Sequence, residues 1–249
     1  MSENNNVDVS IIVACYNDAP HLKNNVGQIM DIMDTTRYSY EIIFVDDKSR
    51  DNSRDMIDQI IAEHPGRRLS KKFHEQNMGR GRSVTDGFIA AKGRIMGYLD
   101  IDLEIHARYI PSVLLEIEKG ADFVIARRLF DLNYHSIVRF IVSKGYIRFS
   151  GMVLGMKGID SESGFKFFNR KTMMGVINSV KDGHWFWDTE VVCRSRLADK
   201  KIIEVPALFV KLPHKPSTVR FSKDIADYVI KIFKFRRELR EDICKTKGR

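Results

Sequence analysis

Gly93-Arg94-Ile95-Met96-Gly97-Tyr98-Leu99-Asp100-Ile101-Asp102-Leu103-Glu104 joins a short apolar run to a cluster of carboxylates. The run Ile95 to Leu99 has the length of a buried strand, and the acidic residues mark where that strand meets solvent. Residues two apart on an extended segment point the same way, so an extended 100–104 aligns Asp100, Asp102 and Glu104. Three such oxygen donors suit one hard cation, Mg²⁺ or Mn²⁺. An Asp-x-Asp triplet alone is equally a solvated loop, and the rest of the chain must decide.

The same shape recurs upstream. Val9-Ser10-Ile11-Ile12-Val13-Ala14-Cys15 is a β-branched run that stops at Tyr16-Asn17-Asp18, and His21 to Met33 then carries helix-spaced apolar residues. Glu41-Ile42-Ile43-Phe44-Val45 stops at Asp46-Asp47-Lys48-Ser49, followed by a helix from Ser53 to about His64 that Pro65-Gly66 closes. Leu69 to Phe73 precedes Asn77-Met78-Gly79-Arg80-Gly81, which opens a helix through Ala91. Strands alternating with helices predict an α/β fold with a mostly parallel central sheet. In such sheets ligands bind at the carboxyl ends of the strands, where every one of these polar clusters falls. Farther on, strands are expected over Ala121 to Ile125 and Lys201 to Val210, with an amphipathic helix over Ser136 to Met156.

The chain has 249 residues and a net charge of +8, with much of the excess between Lys211 and Arg249. No helix-turn-helix, zinc-finger or aromatic RNA-binding signature accompanies that charge, which argues against a nucleic-acid partner. Cys15, Cys193 and Cys244 are too few and too scattered for a disulfide framework or a zinc site. Neither a membrane-spanning run nor a signal peptide is indicated, so the cytoplasm is the expected compartment. Residues 1–8 are polar and expected to be disordered, 9–220 to form one domain, and 221–249 a basic amphipathic helix.

Taken in order, Val13 to Asp18, Val45 to Ser53, Asn77 to Gly81, Asp100 to Asp102, Asp160-Ser161-Glu162-Ser163-Gly164-Phe165-Lys166 and Phe186-Trp187-Asp188-Thr189-Glu190 resemble the inverting family-2 glycosyltransferases of the GT-A fold. Within that family the chain looks most like the polyprenyl-phosphate (dolichol-phosphate) mannose and glucose synthases, over about residues 9 to 220. The resemblance implies a Rossmann-like nucleotide-diphospho-sugar transferase fold. It places Ala14, Tyr16, Asp18, Asp46 or Asp47, Asn77, Gly79 and Asp100 around a nucleotide sugar, and a Mg²⁺ or Mn²⁺ ion on Asp100, Asp102 and Glu104. On residue chemistry alone, Asp46 and Asp47 also read as a turn or cap, and Asn77-Met78-Gly79 as a plain turn.

The resemblance makes Asp188 a catalytic candidate, as general base or as a group orienting the acceptor, its aromatic surroundings expected to raise its pKa. By itself Asp188 also reads as a helix cap. Arg80 and Arg128 join it as charge stabilisers, and Arg128, Arg139, Lys144 and Arg220 match basic residues for an acceptor phosphate. The Lys usual after the last strand is Thr218 here, with His214, Lys215 or Arg220 as candidate substitutes. Ser136 to Met156 and the basic segment from Ile225 to Arg240 both mix apolar and cationic residues, as a helix in a membrane interface does. The implied activity is transfer of a hexose from UDP-glucose or GDP-mannose type donors to polyprenyl phosphate, at the inner face of a membrane. A membrane protein partner stays open, and the alternative acceptor is a saccharide hydroxyl, with Asp188 as base.

Overall fold

A computed structural model describes residues 7–130, 145, 148–155, 158–211 and 229–239. The strands are β1 (Val9–Cys15), β2 (Tyr40–Asp46), β3 (Leu69–Phe73), β4 (Ile95–Leu99), β5 (Phe123–Phe130), β6 (Phe165–Asn169) and β7 (Ile202–Phe209). They form one seven-stranded sheet in the order β3-β2-β1-β4-β6-β5-β7. All neighbours pair in parallel except β6, which runs antiparallel between β4 and β5. The sequence reading did not single out β6, because Phe165-Lys166-Phe167-Phe168 lies against the Asp160 motif and carries a lysine in its midst.

The helices are α1 (Ala19–Asp34), α2 (Ser53–Glu63), α3 (Arg80–Ala90), α4 (Ile110–Glu118), α5 (Arg170–Ser179) and α6 (Trp187–Leu197). Leu22, Val26, Ile29 and Met33 recur at helical spacing on α1 and are buried, as are Ile110, Val113, Leu114 and Ile117 on α4. They pack with Val9, Ile11, Val13 and Phe44 into one core cluster. Toward the other face, Phe88 of α3 meets Tyr98, Phe168 and Trp187 at ring separations of 6.2, 5.3 and 6.4 Å. With helices covering both faces, β4 is buried at every position, which is why it reads as a continuous apolar run. Gly87 lets α3 approach β1 closely, since a Cβ there would come within 2.6 Å of Ile12.

The order of the ends differs from expectation in places. Val7 is buried and the Asp8 backbone N–H donates to Ser39, so these two belong to the fold, and residues 1–6 lie outside the described set. By its internal packing the chain divides into a sheet-bearing unit (1–131 and 160–211) and a second unit (132–159 and 212–249). In the second unit, residues 148–154 and 229–239 are helical, and Phe149 meets Phe233 edge-on at 6.2 Å. Among the described residues no helix is long and apolar enough to cross a membrane.

Candidate active site

β1 to β4 run in parallel, so their polar sequels converge on one edge of the sheet. The loops after β1 and β2 are laced together: Asn17 N–H donates to Ser49 Oγ (2.9 Å), Asp18 N–H to Ser53 Oγ (2.9 Å) and Arg50 N–H to Asn17 Oδ1 (2.7 Å). Asn17 and Lys48 take left-handed conformations, φ 57° and 62°, to make these turns. Tyr16 is left exposed at the rim, Ala14 is half-buried and Asp18 buried, its carboxylate accepting from Tyr16 N–H at 3.0 Å.

Both aspartates after β2 are engaged within the protein. Asp46 is fully buried and accepts from Arg54 Nε (2.5 Å) and Ser49 N–H (3.1 Å). Asp47 accepts from the backbone N–H groups of Met78 (2.7 Å) and Gly79 (2.8 Å), while Asn77 Nδ2 donates to the Asp47 carbonyl. The Asp47 carboxylate therefore grips the Asn77-Met78-Gly79 loop. His74, buried, stands behind it, with Nδ1 2.9 Å from Asp47 and Nε2 3.1 Å from Asp86. Gly79 has φ 95° and lies against Gly183 and His184, where a Cβ would meet both at 2.4 Å, so only glycine fits.

Beyond β4 the segment 100–104 is not extended. Leu103 N–H donates to the Asp100 carbonyl at 3.0 Å and Leu103 has φ 51°, a tight turn that voids the alternate-side rule. Asp100, Asp102 and Glu104 are therefore not aligned, and among the described residues no group of three or more His, Cys, Asp or Glu is placed to hold a metal ion. Asp102 and Glu104 remain close neighbours in the turn, Glu104 N–H donating to Asp102 Oδ1 at 3.3 Å.

Asp100 itself meets Arg80, whose Nε donates to Asp100 Oδ1 at 3.0 Å and whose Nη2 donates to the same oxygen. Nη1 of Arg80 reaches Asp188 Oδ2 at 2.6 Å. Burial disfavours the Arg80 cation, but the charges of Asp100 and Asp188 outweigh it and push its pKa up. The Asp100 carboxylate is 45% exposed toward the cleft. Crowding by neighbouring atoms pushes it up, against the opposing pull of Arg80 and with added repulsion from Asp102.

Asp188, at the start of α6, is buried and saturated. Besides Arg80 it accepts from Lys166 Nζ at 2.5 Å and from the Tyr98 hydroxyl. The β4–β6 register explains this, since Tyr98 stands directly opposite Lys166. Lys166 has no exposed surface and also donates to Tyr98 Oη (3.0 Å), the Ser161 carbonyl (2.8 Å) and the Ser163 carbonyl. Burial alone would raise the Asp188 pKa, but Lys166 and Arg80 reverse that and hold it below the ordinary aspartate value. The expected upward shift does not occur. The aromatic neighbours are present, but two cations among them dominate, and a carboxylate so held is a poor proton acceptor.

Arg128 is likewise committed. Its Nε and Nη2 donate to Asp160 at 2.9 and 2.6 Å, and its own backbone N–H donates to the same carboxylate at 3.0 Å. The guanidinium is nearly buried and clamps the start of the Asp160 motif. Glu162, two residues on, accepts from Thr189 Oγ1 at 2.9 Å. Burial first, then the nearby Asp188, push it up to about 7, against Arg128, Thr189 and Lys166. Arg139, Lys144, His214, Lys215, Thr218 and Arg220 lie outside the described residues. Lys166, Tyr98, Glu162 and His74 belong to the site and were not read as functional. Glu162 and Lys166 lie within the Asp160–Lys166 motif without a role of their own being assigned, and Tyr98 and His74 carry no sequence signal.

The helix-covered, mostly parallel sheet whose strand ends collect acidic loops is the GT-A fold. The chain belongs to glycosyl transferase family 2, whose model matches residues 10–171. It is 26% identical over 205 residues to the glycosyltransferase AglD of Haloferax volcanii, covering 80% of this chain but 32% of that protein. So the chain spans about a third of that relative. With a dolichyl-phosphate beta-glucosyltransferase of Dictyostelium discoideum it shares 25% identity over 255 residues, 93% of this chain and 78% of the relative. The glucosyl-3-phosphoglycerate synthase of Mycobacterium tuberculosis, solved with Mn²⁺, UDP and glucosyl-3-phosphoglycerate, superposes with TM-score 0.66 at 17% identity, covering 92% and 80% of the two chains. That likeness establishes the fold.

Proposed function

We propose that the protein transfers a hexose from a nucleotide sugar of the UDP-glucose or GDP-mannose type to polyprenyl phosphate, with inversion, by a single in-line displacement. The observation that carries this over a hydroxyl acceptor is the state of Asp188. A hydroxyl nucleophile needs a base, and Asp188 is a saturated, low-pKa carboxylate locked between Lys166 and Arg80. A phosphate acceptor is already anionic near neutral pH and needs no proton removed. The likeness to a dolichyl-phosphate glucosyltransferase and to an undecaprenyl-phosphate sugar transferase of Shewanella sediminis, 31% identical over 125 residues, supports the same acceptor class.

The donor's nucleotide fits the laced loops after β1 and β2, with Tyr16 exposed at the rim, Ala14 and Asp18 lining the floor, and Asn77 and Gly79 across from them. Asp46 and Asp47 act there by shaping the loops. The donor set for a divalent cation is hard oxygen, as Mg²⁺ or Mn²⁺ requires, and Asp102 and Glu104, side by side in the turn, would hold it. Asp100 has its charge met by Arg80 and orients that arginine. A bound cation supplies charge neutralisation for the departing diphosphate. Arg80 adds a fixed positive charge at the same place, and Asp188 with Lys166 keeps Arg80 from turning away. Arg139, Lys144 and Arg220 are proposed to meet the acceptor phosphate. The apolar and basic helix at 229–239, with Ile230 and Phe233 exposed beside Lys231, Lys234 and Arg237, fits attachment to the cytoplasmic face of a membrane, alone or beside a membrane protein.

The test is turnover of a panel of UDP- and GDP-hexoses with Mg²⁺ or Mn²⁺, with and without short-chain polyprenyl phosphate, reading nucleotide release and glycolipid. Lipid-dependent product from one donor is expected. Transfer to a saccharide with none to the lipid would overturn the acceptor assignment.

A further inference from the structure

The chain has two tryptophans, placed in opposite ways. Trp187 has no exposed surface and its Nε1 donates to Thr85 Oγ1 at 2.9 Å, as a core indole should. Trp185, two residues earlier, is 49% exposed and lies over the Arg80 guanidinium, 5.6 Å from ring centroid to Cζ. That guanidinium is the one held by Asp100 and Asp188. The half-bare indole therefore borders the point where donor and acceptor must meet.

Its exposure does not come from a loose loop. Glu190 accepts from the backbone N–H groups of Lys181 (3.0 Å) and Asp182 (2.9 Å), and is itself held by Arg194 at 2.7 Å. His184 N–H donates to Asp182 Oδ1 at 2.8 Å, and Arg82 N–H donates to the Gly183 carbonyl at 2.8 Å. Gly79 closes against Gly183 and His184 on the other side. A loop fixed at this many points presents an indole by construction, and a large apolar face held rigidly beside buried charges is a binding feature.

We propose that Trp185 is a stacking platform for the hexosyl ring of the donor, a specificity-determining residue of the transfer reaction. This rests on the nucleotide-sugar reading above. The choice of hexose over nucleobase follows from topology. The loops that would hold the base lie beyond β1 and β2, whereas the Trp185 indole, although its loop closes on Gly79, is directed to β4 through Arg80 and Asp100, on the side of β1 away from β2. With strands roughly 4.8 Å apart, the ends of β2 and β4 are separated by about 10 Å, the reach from a nucleoside toward its diphosphate-linked sugar. A pyranose offers a flat face of C–H groups, which an electron-rich indole attracts, and Arg80 beneath the ring anchors the indole by a cation–π contact.

The experiment compares wild type with Trp185→Phe and Trp185→Ala by intrinsic fluorescence and by calorimetry. The ligands are UDP, GDP, a panel of UDP- and GDP-hexoses, and short-chain polyprenyl phosphate, all with Mg²⁺. Because Trp187 is buried and common to every variant, the difference in emission between wild type and Trp185→Phe isolates Trp185. The expected result is a Trp185 signal that responds to the nucleotide hexose and not to its nucleoside diphosphate. Trp185→Ala should raise the Kd for the nucleotide hexose about tenfold and leave the nucleoside diphosphate within about twofold, with Trp185→Phe in between. Equal weakening of both ligands would mean that the loop merely supports the site, and overturns the proposal. A response to polyprenyl phosphate alone would assign the indole to the acceptor and also overturn it. No binding of any nucleotide would strike down the functional reading itself, an outcome distinct from either.

Discussion

The loops after β1 to β3 and the cluster around β4, β6 and α6 both collect carboxylates at one edge of the sheet, yet they neutralise them differently. In the first region most partners are close in the chain or are backbone N–H groups: Asp46 with Ser49 and Arg54, Asp47 with Met78 and Gly79, Asp51 with Ser53, with the buried His74 side chain against Asp47 the exception. In the second they are distant side chains: Arg80 with Asp188, 108 residues apart, and Tyr98 with Asp188, 90 apart. The first region shapes loops around a ligand. The second fixes charges at a point, and a buried charge that loses its partner is far more costly than a loop that loses one hydrogen bond.

The largest effect should therefore come from breaking the second region. Lys166→Met leaves Asp188 buried with one cation instead of two and empties three further acceptors, so a loss of about 3–5 kcal/mol in urea unfolding is expected. Asp188→Ala should cost a similar amount, because Lys166 and Arg80 then face each other. A loss under about 1 kcal/mol from either would show that the network is dispensable. In the first region, Asp47→Ala frees two backbone donors on the 77–79 loop. It should cost on the order of 1–3 kcal/mol and weaken nucleotide binding, and calorimetry with UDP and GDP checks the second part.

Acid should act on the second region next. Asp188 and Asp160 both have folded-state pKa values below the ordinary 3.8, set against burial by Lys166 and Arg80 for the one and by Arg128 for the other. A depressed carboxylate pKa adds stability that is present above the unfolded value and is lost as pH falls through the folded one. Unfolding midpoints should drop steeply below about pH 4. Asp188→Asn and Asp160→Asn should each flatten that limb. An unchanged acid limb in both variants would remove the ion pairs from the account of stability.

The same contrast explains how much was legible in the sequence. β1 to β4 and their polar sequels are local patterns, apolar runs ended by Asp, Asn or Gly, and the strands appear where those patterns place them. The polar loops of this region were legible for the same reason. What escaped depends on long-range pairing. β6 inserts antiparallel between β4 and β5, and only that register brings Lys166 against Tyr98 and both to Asp188. Without it, Asp188 looked like a carboxylate among aromatics, a setting that raises a pKa. The turn at Leu103 defeated the alternation rule for Asp100, Asp102 and Glu104 because a left-handed leucine has no sequence signal.

Glu162 gives the sharpest prediction, since burial and the charges around it pull its proton equilibrium in opposite directions. It accepts a hydrogen bond from Thr189 and feels both Asp188 and the cations Arg128 and Lys166. Its pKa rises from an ordinary 4.5 to about 7, the reverse of Asp188, because burial and Asp188 outweigh those cations. The sign follows: between these values the folded protein binds a proton that the unfolded chain has released, so Glu162 lowers stability as pH rises through this window. Glu162→Gln keeps the shape of the protonated group and cannot ionise. It should match wild type below pH 4.5 and become progressively more stable than wild type up to about pH 7, with a constant gap above that. Unfolding midpoints of the pair across pH 4 to 8 would read this directly. Parallel curves would mean that Glu162 ionises as an exposed carboxylate does, and that the cations of the second region reach it more strongly than its burial.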